Sequence, residues 1–113
     1  MNAGKRPRVF EFGEQRRDFV YVKDVVRANI LALDARKSGI VNVGTGKSRS
    51  FNDIIAALNG AMGTDLRPEY FKNPYTAVYQ ENTEADITEA RELLLYEPRY
   101  DLESGIRDYI TNI

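Results

Sequence analysis

The segment that most constrains this 113-residue chain is an apolar run between a pair of arginines and a predicted helix. The run is Asp18-Phe19-Val20-Tyr21-Val22, directly after Arg16 and Arg17. Alternate side chains of a strand point to opposite faces, and both faces are apolar here, so the sequence predicts a strand buried on both sides. Asp24 follows where its carboxylate can accept from the free N–H groups of a first helical turn. A strand leading straight into a helix is therefore expected.

Arg17 directly precedes this predicted strand. At the end of a strand, its side chain can reach a ligand. A guanidinium offers a planar fork of donors that fits phosphate, so Arg17 is a candidate anion-binding residue. On charge alone, the default interpretation is that Arg16 and Arg17 are solvated surface charges.

Length and composition are those of an ordinary globular domain. At 113 residues the chain forms one domain at most, with 42% hydrophobic and 29% charged residues. With 16 basic and 17 acidic residues its net charge is -1, which gives no electrostatic reason to expect nucleic acid or a membrane surface as partner. No apolar run approaches the roughly 20 residues that span a bilayer, and no signal peptide is expected.

The chain contains neither cysteine nor histidine. Disulfides and thiol chemistry are therefore excluded within this sequence, which suits a reducing cytoplasm. Nucleophile systems built on histidine are excluded as well, and a zinc site would need carboxylates alone. Chemistry carried out by this chain must use Asp, Glu, Lys, Arg, Tyr or backbone groups.

Hydrophobic periodicity and breaker residues predict short strands and helices in mixed order. We expect a polar lead-in over residues 1–8 and the folded domain over residues 9–113. The predicted strands are residues 9–12, 18–22, 40–43 and 66–71. The predicted helices are residues 24–36, 51–62, 87–95 and 101–113. The expected fold is a small mixed α/β unit with too few strands for a complete doubly wound sheet, so several strands should lack neighbours.

The first predicted helix carries an apolar stripe that we expect on its inner side. The stripe consists of Val22, Val26, Ile30 and Leu33.

Two later helices carry capping signals. Ser50 with Asp53 forms a capping-box pattern, and Gly63 is the expected end of that helix. Asp86 with Glu89 forms a similar pattern before the third helix.

One glycine-containing segment, Gly44-Thr45-Gly46-Lys47-Ser48, is similar to the end of a phosphate-binding loop. A Walker A loop needs a glycine where Val41 stands, and a dinucleotide fingerprint needs one where Arg49 stands. We therefore interpret both glycines as turn residues, with a nucleotidase or kinase as a distant competitor.

Three blocks, in order and over nearly the whole chain, resemble one known family. Arg16-Arg17-Asp18-Phe19-Val20-Tyr21-Val22-x-Asp24-Val25 resembles the start of the substrate-side lobe in nucleotide-sugar epimerases of the extended short-chain dehydrogenase/reductase family. Residues 39–46, followed by Ser50-Phe51, resemble its next block. The run Tyr79-Gln80-x-x-Thr83-x-Ala85-Asp86-Ile87 is similar to one in the ADP-glycero-manno-heptose 6-epimerase branch.

This resemblance implies a C-terminal substrate-binding portion whose Rossmann half lies outside the sequence. Catalysis in the family needs a lysine four residues after a tyrosine, and none of the seven tyrosines here has one. The implied parent enzyme inverts C6 of ADP-heptose, or acts on a related nucleotide sugar, by NADP-dependent removal and return of hydride. It would form a homo-oligomer. The present portion is expected neither to bind NADP nor to catalyse the reaction.

The resemblance also implies site residues, by position. Arg17 matches the family arginine that grips the diphosphate of the nucleotide sugar, and Tyr79 matches the tyrosine that closes near the phosphates. Phe10 and Glu11 fall in a turn that lines the nucleotide in the heptose epimerases, although the spacing to Arg17 is one residue shorter here. Many related epimerases carry a second arginine near the position of Tyr79, and its absence favours the heptose branch.

Other interpretations stay open. Tyr79 could be a core tyrosine, Glu11 an edge-strand charge, Asp86 a helix cap, and Thr83 a cap or a ligand contact. For function, one alternative is an epimerase or dehydratase acting on UDP-, GDP- or dTDP-sugars. The other is a non-catalytic α/β interaction module whose exposed apolar surface drives self-association.

Overall fold

The computed structural model describes residues 1–113 and contains four helices and four short strands. In chain order they are β1 (Arg8–Phe10), β2 (Arg16–Arg17), α1 (Val22–Leu33), β3 (Arg49–Ser50), α2 (Phe51–Met62), β4 (Glu69–Phe71), α3 (Thr88–Leu94) and α4 (Leu102–Thr111). The mixed α/β class and the order of strands and helices agree with the sequence-based prediction. The third strand, however, lies at β3 instead of residues 40–43.

The strands form two separate pairs. β1 and β4 are parallel, with Phe10 opposite Phe71, whereas β2 and β3 are antiparallel, with Arg17 opposite Arg49. Two-stranded sheets are marginal by themselves, and helix packing supports them. α2 packs against α4, and α1 packs against α3.

The buried core is small for a chain of this length. Only 13 of 113 residues are buried, and the main cluster consists of Ala28, Ile87, Ala90 and Tyr96. The Tyr96 hydroxyl donates to the Gly44 carbonyl at 2.8 Å, so this buried phenol is satisfied. The chain is a slab of 48 × 37 × 16 Å. Since a helix with its side chains is about 10–12 Å across, the slab is little more than one helix layer thick.

The apolar stripe of α1 faces solvent, which contradicts the predicted inner position. All four members are more than half exposed: Val22 60%, Val26 51%, Ile30 58% and Leu33 85%. The opposite side is the buried one, through Asp24 and Ala28, with Leu31 packed against the core cluster. Periodicity identifies a face that favours apolar surroundings, but it does not say which part of a protein covers that face.

Asp24 does not cap α1 as predicted. Tyr21 occupies the N-cap position and makes no side-chain cap hydrogen bond. Asp24 is only 1% exposed, and its carboxylate accepts from the N–H groups of Arg99 and Tyr100 at 3.0 and 3.1 Å. It also pairs with Arg27 at 3.3 Å. Asp24 therefore ties α1 to the segment that precedes α4.

Two predicted strands do not form as expected. No residue of the predicted strand 18–22 belongs to a sheet: β2 ends at Arg17, α1 begins at Val22, and residues 18–21 are partly buried instead of fully buried. Residues 40–43 form no strand, and their backbone N–H and C=O groups make no hydrogen bond within the chain. Val41 and Val43 nevertheless pack against the core cluster. A strand needs a neighbour to satisfy its backbone groups, and the slab supplies none here.

The capping prediction for α2 is confirmed. Ser50 and Asp53 form a reciprocal capping box with both hydrogen bonds at 3.0 Å. Gly63 ends the helix with a φ of 68°, in the left-handed region that favours glycine.

The capping prediction for α3 is wrong. Ile87 occupies the N-cap position without a side-chain cap hydrogen bond. The Asp86 carboxylate accepts instead from the N–H and hydroxyl of Thr88, at 3.0 and 2.6 Å.

An arginine clamps α2 to α4. The Arg49 guanidinium binds the Glu103 carboxylate at 2.5 and 3.1 Å and Asp53 at 3.3 Å. The hydrogen bonds from Arg49 lower the pKa of the Glu103 carboxyl, and the N–H of Ser50 is the main cause of a lowered pKa at Asp53. Both carboxylates are therefore stabilised in their charged form.

None of the helices combines the length and the apolar character that a membrane crossing requires.

Candidate functional site

The four residues predicted to contact a ligand gather at one end of the β1–β4 pair. Phe10, Glu11 and Tyr79 line a cavity of about 240 Å³. Arg17 lies beside it, with its Cζ atom 5.0 Å from the centroid of the Tyr79 ring. The other lining residues are Phe12, Glu14, Gln15, Asn73, Thr76 and Glu81.

Three aromatic rings, Phe71, Phe10 and Tyr79, form a continuous row through this site, here named the aromatic row. The ring centroids of Phe10 and Phe71 are 4.7 Å apart, and Tyr79 meets Phe10 edge-on at 5.5 Å. Arg17 lies over Tyr79 at one end, and Arg8 lies over Phe71 at the other, 4.4 Å from its centroid. The row thus offers an apolar, π-rich surface between two positive charges.

The turn after β1 holds Glu11 in place. Glu11 adopts a φ of 51°, donates its N–H to the Phe71 carbonyl at 2.7 Å, and accepts from the N–H of Asn73 at 2.9 Å. Its carboxylate therefore joins the turn to the segment after β4. The same turn needs glycine at position 13, because φ is 71° and a Cβ would lie 2.2 Å from Asn52 Oδ1.

Backbone hydrogen bonds place Tyr79 beside Arg17. The N–H of Arg16 donates to the Glu81 carbonyl at 2.7 Å, and the N–H of Thr83 donates to the Arg16 carbonyl at 3.1 Å. The segment after Tyr79 is therefore fixed along β2. Thr83 takes part through its backbone.

The two consecutive arginines have different surroundings. Arg16 donates through Nε to Ser48 Oγ at 3.1 Å and through Nη2 to the Ser48 carbonyl at 2.6 Å, so it supports the loop before β3. The Arg17 guanidinium makes one hydrogen bond, to the Arg16 carbonyl at 2.7 Å, and joins none of the five ion pairs. Its remaining donors are free to meet an anion.

Asp18, directly after the arginines, organises the glycine loop. Its carboxylate accepts from the N–H and hydroxyl of Thr45, the N–H of Gly46 and the N–H of Ala85, at distances between 2.5 and 3.3 Å. A Cβ at Gly44 would lie 2.6 Å from Asp18 Oδ2. The loop is thus a turn whose amides are already bound, and it does not fit a phosphate.

The charges of the site are unevenly distributed. Glu11, Glu14 and Glu81 line the cavity together with no cation, so Arg17 supplies the positive charge at its edge. A negatively charged ligand group is therefore favoured at Arg17 over the cavity itself. No group of three or more potential ligand side chains is arranged to hold a metal ion.

Arg8, Gln15, Phe71 and Asn73 also belong to this site, and no motif in the sequence identifies them as such. One signal was available: Arg8 directly precedes the predicted strand 9–12 and lies two residues before Phe10, so a strand that began one residue earlier would place both side chains on one face. Asn73 contributes because the segment after β4 passes next to Glu11, whose carboxylate accepts from the Asn73 N–H. No local sequence pattern predicts this contact.

Comparison with known proteins gives the family context. The profile of the NAD dependent epimerase/dehydratase family matches residues 1–44. The ADP-L-glycero-D-manno-heptose-6-epimerase of Fusobacterium nucleatum subsp. nucleatum is 42% identical over 112 residues, covering 91% of this chain and 34% of that enzyme.

Solved structures of epimerases are also similar to this chain. The Helicobacter pylori ADP-L-glycero-D-manno-heptose-6-epimerase is 44% identical, with a TM-score of 0.87 over 98% of this chain and 34% of that one. The Thermotoga maritima UDP-glucose 4-epimerase, solved with UDP-glucose, is 34% identical, with a TM-score of 0.86 over 97% of this chain and 36% of that one. This chain thus spans about a third of the length of these relatives. By sequence and by fold, this chain is similar to part of each of these epimerases, and its residues 1–44 match the NAD dependent epimerase/dehydratase family.

Proposed function

We propose that this chain is the C-terminal, substrate-binding part of an ADP-glycero-manno-heptose 6-epimerase. The observation that carries the proposal is the Arg17 guanidinium, which is stacked on Tyr79 with most of its donors free, beside a cavity lined by Phe10 and Glu11. Identities of 42% and 44% to two heptose epimerases support that branch over the UDP-sugar enzymes, whose identities are lower.

In the proposed complex, Arg17 binds the diphosphate of the nucleotide sugar. Charge-assisted hydrogen bonds from a guanidinium to phosphate are short and strong, and each typically contributes about 1.5–3 kcal/mol. Tyr79 adds its ring face and its phenolic donor near the same group. The function of the chain is then positioning, since it holds the diphosphate so that the sugar faces the reacting groups elsewhere in the protein.

The residues of this chain do not fit a nicotinamide cofactor. The only loop that is similar to a phosphate cradle has its amides bound to Asp18, and no tyrosine precedes a lysine at the spacing of the family. We therefore assign NADP, and the transient oxidation and reduction at C6, to the part of the parent enzyme outside this chain. This portion alone should bind substrate without turning it over.

We further propose that the missing Rossmann half covers the α1 side of the slab. The relatives are about three times as long, the α1 stripe is exposed, and the backbone of residues 40–43 is unpaired. A strand and apolar side chains from the rest of the protein would satisfy both features. A homo-oligomeric parent enzyme in the cytoplasm is part of the same proposal.

The test is titration of the chain with ADP-ribose, ADP-mannose and UDP-glucose, followed by amide NMR shifts. We expect saturable shifts around Arg17 and Tyr79, tighter binding of the two ADP compounds, and about a tenfold or greater loss of affinity in Arg17→Ala, since 1.4 kcal/mol is a factor of ten. Arg36→Ala, an exposed arginine just after α1, is the matched control and should bind normally.

Each alternative has its own outcome. Equal affinity for all three ligands would favour an epimerase or dehydratase of another nucleotide-sugar class. Shifts confined to the α1 face, combined with concentration-dependent self-association and no response to any nucleotide, would favour the interaction module.

A further inference from the structure

Arg8 is a second free arginine of the site, and the proposed function does not yet use it. It lies on β1 two residues before Phe10, and its Cζ is 4.4 Å from the centroid of Phe71. Side chains two residues apart on a strand share a face. Arg8 therefore lies on the face of β1 that carries the aromatic row.

The Arg8 guanidinium has no polar partner in the chain. It donates none of the side-chain hydrogen bonds and takes part in none of the five ion pairs. Glu69 is its partner in the β1–β4 register, yet the guanidinium lies over Phe71 instead of pairing with this carboxylate. Stacking holds the guanidinium plane against an aromatic ring while its N–H donors remain free.

Arg8 also shares a cavity with the other end of the row. A cavity of about 230 Å³ is lined by Arg8, Val9, Phe10, Gln15, Phe51, Phe71 and Tyr79. Tyr79 is the residue under Arg17. The cavity therefore follows the aromatic row from Arg8 to Tyr79, the ring that Arg17 covers.

A ligand anchored at Arg17 by a diphosphate meets different surfaces on its two sides. On one side Arg16 and Ser48 are bound to each other, and the amides of the glycine loop are bound to Asp18. On the other side lies the aromatic row, and flat π surfaces with a nearby guanidinium are what nucleobases stack on. The base is therefore favoured on the side of Arg8.

We propose that Arg8 is a specificity-determining residue that binds the nucleobase of the nucleotide sugar. This proposal rests on the proposed function. Its planar guanidinium stacks on the base and donates hydrogen bonds to acceptor atoms at the edge of the base. Arg17 binds the diphosphate, so the two arginines divide the ligand between them. Arg8 would contribute to the affinity for any ligand that carries the base and nothing to the affinity for a bare anion.

The experiment separates the two ends of the ligand. Arg8→Met, Arg8→Lys, Arg17→Ala and the control Arg36→Met are titrated with ADP-ribose, adenosine and inorganic pyrophosphate. We expect Arg8→Met to weaken the binding of ADP-ribose and of adenosine by about two- to fivefold each, in the range of exposed cation–π contacts, and to leave the binding of pyrophosphate unchanged. Arg17→Ala should weaken ADP-ribose and pyrophosphate and leave adenosine unchanged.

Arg8→Lys tests the role of the guanidinium plane. It should resemble Arg8→Met, because an ammonium keeps the charge but loses the planar stacking surface. A second measurement needs no substitution: in the unmodified chain saturated with ADP-ribose, intermolecular NOEs should join the adenine protons to the Arg8 side chain.

Two results would overturn the assignment. One is that Arg8→Met weakens pyrophosphate as much as ADP-ribose, which would make Arg8 a general anion contact. The other is unchanged binding of ADP-ribose and adenosine together with missing adenine–Arg8 NOEs. If binding of ADP-ribose still depends on Arg17 in that case, only the role of Arg8 fails; if ADP-ribose does not bind at all, the proposed function fails with it.

Discussion

The two sides of the slab differ in how many of their backbone groups are hydrogen-bonded and in how well their apolar side chains are buried within the chain. On the side of the aromatic row, the turn after β1 is hydrogen-bonded, the Glu81 carbonyl and the Thr83 N–H are paired with Arg16, and Glu11 joins the turn to Asn73. On the α1 side, large apolar side chains are exposed and the backbone of residues 40–43 is unpaired. The wall of the proposed ligand site can therefore form within this chain, whereas the α1 side leaves apolar side chains and backbone groups without partners.

The largest effect should come from the one buried polar anchor on the α1 side. Asp24→Ala removes the acceptor of the Arg99 and Tyr100 N–H groups and leaves Arg27 without its ion-pair partner. We expect the free energy of unfolding in urea to fall by about 3–5 kcal/mol, because two partly buried N–H donors lose their acceptor and a buried ion pair loses one partner. Asp34→Ala, at an exposed carboxylate at the end of α1, is the control and should change it little. An equally small effect of both would mean that α1 is not held by Asp24.

A matched pair of substitutions compares the two helix faces directly. Ile55→Ala on α2 removes a side chain that is 7% exposed and should destabilise the chain by about 2–5 kcal/mol. Ile30→Ala on α1 removes the same atoms at a site 58% exposed and should change stability by less than about 0.5 kcal/mol. It should also reduce self-association in sedimentation velocity. Equal destabilisation by both would show that the α1 stripe is already covered in solution, for example within a dimer.

The smallest effect concerns the charges that join α2 to α4. Glu103 and Asp53 have lowered pKa values in the folded chain. They therefore contribute stability above their ordinary pKa values of 4.5 and 3.8, and this stability is lost as pH falls through the folded pKa values. Because both side chains are more than a third exposed, we expect Arg49→Met to lower stability at pH 7 by less than about 1 kcal/mol.

The measurement is urea unfolding of Arg49→Met and the unmodified chain at several pH values. Their difference in unfolding free energy should shrink below pH 4 and vanish once both carboxyls are protonated. A difference that persists undiminished at low pH would assign the effect to packing of the arginine stem instead of its charge.

Features of this fold that depend on residues close together in the sequence could be predicted. Features that depend on contacts between distant parts of the chain could not. The Ser50–Asp53 capping box and Gly63 are read from residues within one or two turns, and the structure matches them. The α1 stripe was correctly recognised as apolar but assigned to the wrong surroundings, because periodicity is silent about what covers a face. The role of Asp24 depends on Arg99 and Tyr100, which lie far along the chain.

The site shows the same limit. Arg17, Tyr79, Phe10 and Glu11 were selected by position within family-like blocks, and the structure brings all four together. Their roles in binding stay predictions. The difference between Arg16 and Arg17 could not be predicted, since it depends on which guanidinium reaches Ser48.

The carboxylate of Asp18 has a consequence for mutational surveys of this protein. It binds the loop at Thr45 and Gly46 and the chain at Ala85, while the residue before it, Arg17, faces the proposed ligand. Any exchange at position 18 releases several backbone amides at once and shifts the neighbouring arginine. In a screen of the proposed parent enzyme scored by turnover alone, Asp18 would be mistaken for a catalytic acid, although its carboxylate holds three segments of backbone together.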